Sequence, residues 1–173
     1  MAETYEFVHV KIPKNKCFSE ISDYLEDYFK EERAIIIGFS LGGYIATHFA
    51  VSFPERVDKI FSIANSPCAL HPAEEKQRQE IVEFINLHGY KGMSKTRAKQ
   101  LFDSKNTDSE QLATLIDIML SMDAVLGEAE LISQMLFTSE RTDLYKKLAS
   151  TKFQSVFYYS EDDAFVDVTC LEK

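Results

Sequence analysis

The segment Gly38-Phe39-Ser40-Leu41-Gly42 joins an aliphatic run, Ala34–Phe39, to a helical pattern that begins at Leu41 and stops at Pro54. A serine with glycine two residues before and two after, placed where a strand becomes a helix, predicts a sharp turn that lifts the hydroxyl above a sheet. The small flanking residues leave room for that turn, and Gly43 adds clearance where helix and strand approach. The N–H of Leu41, at the positive end of the helix, would point at an oxyanion formed by attack of Ser40. Three fixed residue types match by chance in about one chain of this length in twenty. The strand-turn-helix context is therefore what gives the pattern weight over a glycine-rich turn without chemistry.

The surrounding chain alternates between the two kinds of element. Residues 5–12 alternate loosely and end at Pro13, as a strand would. Phe18, Ile21, Leu25, Tyr28 and Phe29 share one helical face, with Glu20, Asp23, Glu26 and Asp27 on the other. Ala34–Phe39 does not alternate, which predicts a strand buried on both faces of a parallel sheet, and residues 60–64 predict another strand. This order predicts an α/β class. From residue 73 to about 148 no strand is evident, and helices are separated at residues 89–92, 103–106 and 122–127. Thr107 and Glu110 form a capping box ahead of Leu112, Leu115, Ile116 and Met119. Residues 155–159 return to strand and lead into the acidic loop Ser160-Glu161-Asp162-Asp163. The expected organisation is a core over residues 1–72, an all-helical cap over 73–148, and a return strand with acid loop over 149–173.

Composition narrows the partners. With 19 basic and 28 acidic residues the net charge is −9, and no basic stripe is available for phosphates, so neither nucleic acid nor an anionic membrane is expected. The longest purely aliphatic stretch, residues 34–37, is far short of a bilayer span, and Glu3 and Glu6 stand where a signal peptide needs a basic start and an apolar run. A cytoplasmic protein is expected. Cys17, Cys68 and Cys170 are odd in number, widely spaced and without a Cys-x-x-Cys pair, which argues against a disulfide framework and a zinc site. Neighbouring Glu161, Asp162 and Asp163 lack the spaced oxygens of a calcium loop, so no metal or cofactor is expected.

The run from Ile36 through Gly-Phe-Ser-Leu-Gly-Gly-Tyr-Ile-Ala and Phe-Pro-Glu-Arg-Val-Asp to Asn-Ser-Pro-Cys68 resembles the core of an α/β-hydrolase. It is especially similar to bacterial carboxylesterases grouped near the biotin-pathway pimeloyl-ester hydrolases. The helical insert, the Arg141-Thr142-Asp143-Leu144 return and the strand leading to Ser160-Glu161-Asp162-Asp163-Ala164 follow the same layout. The resemblance implies a parallel-sheet core with a helical cap insertion, acting on a small-molecule carboxylic ester or related acyl substrate. It implies Ser40 as nucleophile, Leu41 N–H as oxyanion donor, Gly38 and Gly42 as elbow residues, and Asp163 as the acid that orients a histidine, with Asp162 as the alternative. Serine rather than aspartate at the elbow disfavours epoxide hydrolase and dehalogenase chemistry, leaving ester, thioester and carbon–carbon bond hydrolysis. Met119, Met122, Met135, Leu120, Leu126, Leu131 and Phe137 would supply an apolar acyl pocket in the cap, or simply pack it.

The chain also departs from that family pattern. Its histidine follows the acid, whereas here ten residues follow Asp163 and none is histidine; His9, His48, His71 and His88 all precede it. His71, in the loop leading into the cap, is an outside candidate for a base. The upstream His-Gly loop that completes the oxyanion hole is absent from the 39 residues before Ser40, so the expectation is a chain shortened at both ends. A serine without a base is a weak nucleophile, which makes a catalytically incomplete remnant serving as a binding or interaction module the alternative. An unpaired sheet edge would favour a homo-oligomer.

Overall fold

The computed structural model describes residues 5–29, 33–102, 108–163 and 165–172. In chain order its elements are α1 (Phe18–Phe29), β1 (Ala34–Phe39), α2 (Leu41–Ser52), β2 (Val57–Ile63), α3 (Pro72–His88), α4 (Lys95–Gln100), α5 (Ser109–Phe137), α6 (Tyr145–Ala149), β3 (Gln154–Tyr158) and α7 (Val168–Leu171). They fall into two compact units, one comprising Met1–Ala69 with Arg141–Lys173 and the other Leu70–Glu140.

In the first unit the three strands form a parallel sheet in the order β1-β2-β3. The apolar stripe of α1 buries Phe18, Ile21 and Leu25 against α2, which is buried almost all round because it lies between α1 and the sheet. Phe49 and Tyr44 of α2, Val57 and Ile60 of β2, and Leu144 and Leu148 complete this core. Arg56, just ahead of β2, reaches back to Glu26 of α1 at 2.5 Å and so ties the helix to the sheet.

Two expectations for this unit fail. Residues 5–12 form no strand; Val10 and Ile12 pack on the core while Tyr5, Phe7 and Val8 lie exposed. Apolar alternation had licensed a strand, but a strand needs a ladder partner, and β1 is bonded to β2 alone among the described residues. Nor is β1 buried on both faces: Ile35, Ile37 and Phe39 are 43%, 54% and 68% exposed, whereas Ile36 packs against the core. The helices described in this unit cover one side of β1, and the run of isoleucines carries no mark of which side that is.

His48 sits two turns into α2 with its Nδ1 2.7 Å from the buried Ser22 hydroxyl and its ring stacked on Phe18. Burial holds its pKa below the ordinary 6.5, Lys147 adds to the depression and Asp23 opposes it. Protonation therefore favours the unfolded chain. The contribution of neutral His48 is complete above pH 6.5 and is lost as pH falls through the lowered native value. Urea midpoints should drop between about pH 7.5 and pH 5, and His48→Gln, which can still accept from Ser22, should flatten that part of the slope. An unchanged slope in the variant would mean that another group carries it.

In the second unit α3 and α4 pack on α5. Ser94 caps α4, and Asp108 caps α5 by accepting from Gln111 N at 2.8 Å. The cap residue expected from the sequence, Thr107, and the expected break at residues 103–106 lie outside the described residues. The break expected at residues 122–127 is a kink at Gly127 (φ 72°, ψ 175°) inside Ser109–Phe137. Asp123 braces the turn before α4, accepting from Met93 N at 2.8 Å and from the Tyr90 hydroxyl.

Candidate active site

Ser40 is the residue between β1 and α2, and its backbone has φ 50° and ψ −118°. Such a conformation is costly for any residue with a side chain, by about 1–3 kcal/mol, and persists only where its surroundings fix it. Here they do so from both sides. Ser40 N–H donates to Ile63 O of β2 at 2.8 Å, and Ser40 O accepts from Gly43 N at 2.9 Å. A side chain at Gly38 would place its Cβ 2.2 Å from Gly42 O, so the sharp turn requires glycine there. A Cβ at Gly43 would lie 2.5 Å from Ser62 Oγ and 2.9 Å from Asn65 Cβ, which is how closely α2 approaches β2. Gly42 has no such need, because nothing lies within 4 Å of a Cβ built there.

The result is an exposed serine whose hydroxyl has no hydrogen-bond partner among the described residues. Directly after it Leu41 opens α2, and its N–H, one of the orphan donors of a helix's first turn, is not taken up by any described acceptor. Hydroxyl and N–H thus stand together at the positive end of the helix, where developing negative charge is favoured.

The acid loop leaves the same end of the sheet. Phe39, Ile63 and Tyr158 are in register across the three parallel strands, so Ser40 and residues 159–163 emerge from one edge, with β1 and β3 about 10 Å apart. Asp163 is half-buried; its Oδ1 accepts from Phe165 N at 2.9 Å and its own N–H donates to Ser160 O. Asp162 and Glu161 are exposed, and the Asp162 contact with the loop is its N–H to Ser160 Oγ. No group of three His, Cys, Asp or Glu among the described residues is placed to hold a metal ion.

No histidine is hydrogen-bonded to Ser40 or Asp163 among the described residues. His48 lies about 12 Å along α2 from Ser40 at 1.5 Å per residue, and its Nδ1 is engaged by Ser22. His9 is exposed. His71 and His88 belong to the second unit; His71 caps α3 by accepting from Ala73 N at 3.2 Å, and His88 packs on Phe84. In that unit a shallow, solvent-open cleft follows one face of α5, with Ile118, Met122, Val125 and Leu126 along it and Asp117 and Ser121 at its polar side. Of the seven apolar residues expected to form an acyl pocket, Met122 and Leu126 line this cleft.

Several residues near the elbow were not foreseen. Ala64, at the exit of β2, also has a positive φ of 51°, and it starts a buried run through Asn65, Ser66, Pro67 and Cys68. Ser62 Oγ and Asn65 Nδ2, packed against Gly43, are buried without a partner among the described residues. The signal available was the small polar cluster Asn-Ser-Pro directly after an apolar run, which marks a turn. The cysteines also depart from expectation: Cys68 and Cys170 are joined in a disulfide, and Cys17 is free. Their separation of 102 residues in sequence hid this, because neighbouring β2 and β3 deliver the two following loops to one place.

A strained serine at a strand-to-helix turn above a parallel sheet places the chain in the α/β class. The chain belongs to the α/β-hydrolase fold family, whose profile, described as alpha/beta hydrolase fold, matches residues 14–162. The pimeloyl-[acyl-carrier protein] methyl ester esterase of Shewanella oneidensis is 29% identical over 124 residues, covering 68% of this chain and 46% of that protein. The enzyme of that name from Pectobacterium carotovorum is 60% identical over 37 residues, 21% of this chain and 14% of its own. Among solved structures, Rv0554 from Mycobacterium tuberculosis superposes with a TM-score of 0.72 at 16% identity, over 92% of this chain and 60% of that one. MenH from S. aureus gives 0.63 at 17% identity, over 90% and 61%. At these identities the likeness is one of fold, and the chain spans about half to three fifths of the length of such relatives. No helix among the described residues is long and apolar enough to cross a membrane.

Proposed function

We propose that this chain carries the nucleophile and acid of a serine hydrolase acting on carboxylic esters or related acyl compounds. The observation that carries the reading is the strained Ser40, whose hydroxyl and the adjacent N–H at the head of α2 have no hydrogen-bond partner among the described residues. In this reading Ser40 attacks the acyl carbon and Leu41 N–H stabilises the oxyanion, an interaction of the kind worth about 3–4 kcal/mol. Asp163, rather than Asp162, orients the imidazole that accepts the serine proton, because its carboxylate is held by the loop that positions it. The helical unit Leu70–Glu140 serves as a cap. Relatives named for a pimeloyl methyl ester make a medium-length acyl group the first choice of substrate. The edge of β1 that no strand pairs among the described residues offers a surface for self-association.

The test is turnover of short- and medium-chain p-nitrophenyl esters by the wild-type chain and Ser40→Ala, with and without added imidazole. Because no described histidine reaches Ser40, intrinsic turnover is expected to be slow, and imidazole, after subtraction of its own reaction with the ester, should raise it in the wild type and not in the variant. Covalent labelling by a serine-directed phosphonate should map to Ser40. Equal turnover in both proteins under every condition, with no label at Ser40, would sink the reading.

A further inference from the structure

We propose that Cys68 and Cys170 constitute a thiol–disulfide exchange site that sets the position of the acid loop, and with it the reactivity of Ser40. The second part rests on the reading of Asp163 as the acid. The loop is anchored at one end by β3 and at the other by α7, a single turn of four residues whose one buried side chain is Cys170. A lone turn is not stable by its own hydrogen bonds, so what holds α7 must come from elsewhere.

That support is the buried run after β2. The disulfide joins Cys170 to Cys68 with Cα atoms 6.5 Å apart, within the span such a bond bridges. Next to it Asp167 N–H donates to Ser66 Oγ at 3.3 Å, while Asp167 Oδ1 accepts from Cys170 N and from Thr169 Oγ1. Val166, buried between the two anchors, donates its N–H to Asp163 O. The covalent link therefore lies four residues beyond the backbone that fixes Asp163, on an element too short to stay docked without it.

The chemistry needs a dithiol. Its thiolate attacks Sγ of Cys68, the less deeply buried partner at 7% exposure against 0%, and forms a mixed disulfide while Cys170 leaves as thiolate and takes up a proton. The second thiol of the reagent then displaces Cys68, giving two protein thiols and the cyclic disulfide of the reagent, a transfer of two electrons and two protons. The reverse step uses a disulfide oxidant. In a reducing compartment disulfides are commonly transient or redox-sensing, so the pair would report the poise of its surroundings.

Three measurements decide this. After incubation with glutathione disulfide, intact mass with an alkylating agent should show one modified cysteine of the three, Cys17, and after dithiothreitol all three. Amide exchange across residues 165–172 should rise at least tenfold on reduction, with exchange in α2 and β2 unchanged. Ser40-dependent turnover with imidazole should fall at least tenfold and return on reoxidation, whereas Cys17→Ser behaves as wild type. Chemical reduction of the wild type keeps the test independent of whether Cys170→Ser folds. Three alkylatable thiols under oxidising conditions overturn the exchange site, and amide exchange indifferent to reduction overturns its hold on the acid loop. Exchange that responds while turnover does not overturns its link to Ser40. Absence of Ser40-dependent turnover in the oxidised protein overturns the hydrolase reading instead, and exchange alone then judges the site.

Discussion

Gly38→Ala is expected to destabilise the first unit by about 3 kcal/mol or more, the upper end of what overpacking costs, whereas Gly42→Ala is expected to leave it unchanged or stabilise it by up to about 1 kcal/mol. The two glycines are equivalent in the sequence pattern and opposite in the structure. A Cβ at position 38 meets Gly42 O at 2.2 Å, Gly42 C at 2.4 Å and Gly43 N at 2.6 Å, all backbone atoms of the first turn of α2. No side chain can rotate to make room; the turn itself must open, and the hydrogen bond of 2.8 Å from Ser40 N to Ile63 O opens with it. At position 42 nothing lies within 4 Å, and alanine there gains the helical preference glycine lacks. Urea unfolding of the two variants is the measurement, and equal midpoints would contradict the packing described at the elbow.

Ser40→Gly is expected to abolish every serine-dependent reaction of the chain while raising its stability by about 1 kcal/mol, strain relieved less the larger chain entropy of glycine. A residue at φ 50° and ψ −118° pays for its Cβ in the folded state, and glycine does not. The hydroxyl is exposed and makes no hydrogen bond among the described residues, so its removal subtracts nothing from the native state. Opposite signs in thermal midpoint and in phosphonate labelling would identify Ser40 as a residue kept for chemistry. A loss of stability would mean that the hydroxyl has a structural partner.

How far the sequence could be read follows from where its information resides. The sharp turn at Ser40 was legible because glycine two residues before a serine at a strand-to-helix junction has a steric meaning, whereas the glycine two residues after it has none here. The parallel sheet followed from apolar runs interrupted by helical patterns, and the helical segment from the absence of such runs. The covered side of β1 was not legible, since Ile35, Ile36 and Ile37 are one residue type in two environments. Residues 5–12 misled because alternation records what a segment can bury, not whether a neighbour offers hydrogen bonds. The Cys68–Cys170 bond was hidden for a third reason: it depends on the order of strands in the sheet, a property of no local window.

The bare side of β1 has a thermodynamic consequence. The heat-capacity increment of unfolding comes chiefly from apolar surface newly exposed to water, and for ordinary domains amounts to about 12–15 cal/mol/K per residue. Ile37 and Phe39 of β1, together with Tyr158 of β3, are already more than half exposed in the native state, so melting hydrates less new hydrocarbon here than in a sheet covered on both sides. The increment per residue measured by calorimetry is expected to lie toward the low end of the ordinary range, with a correspondingly broader curve of stability against temperature.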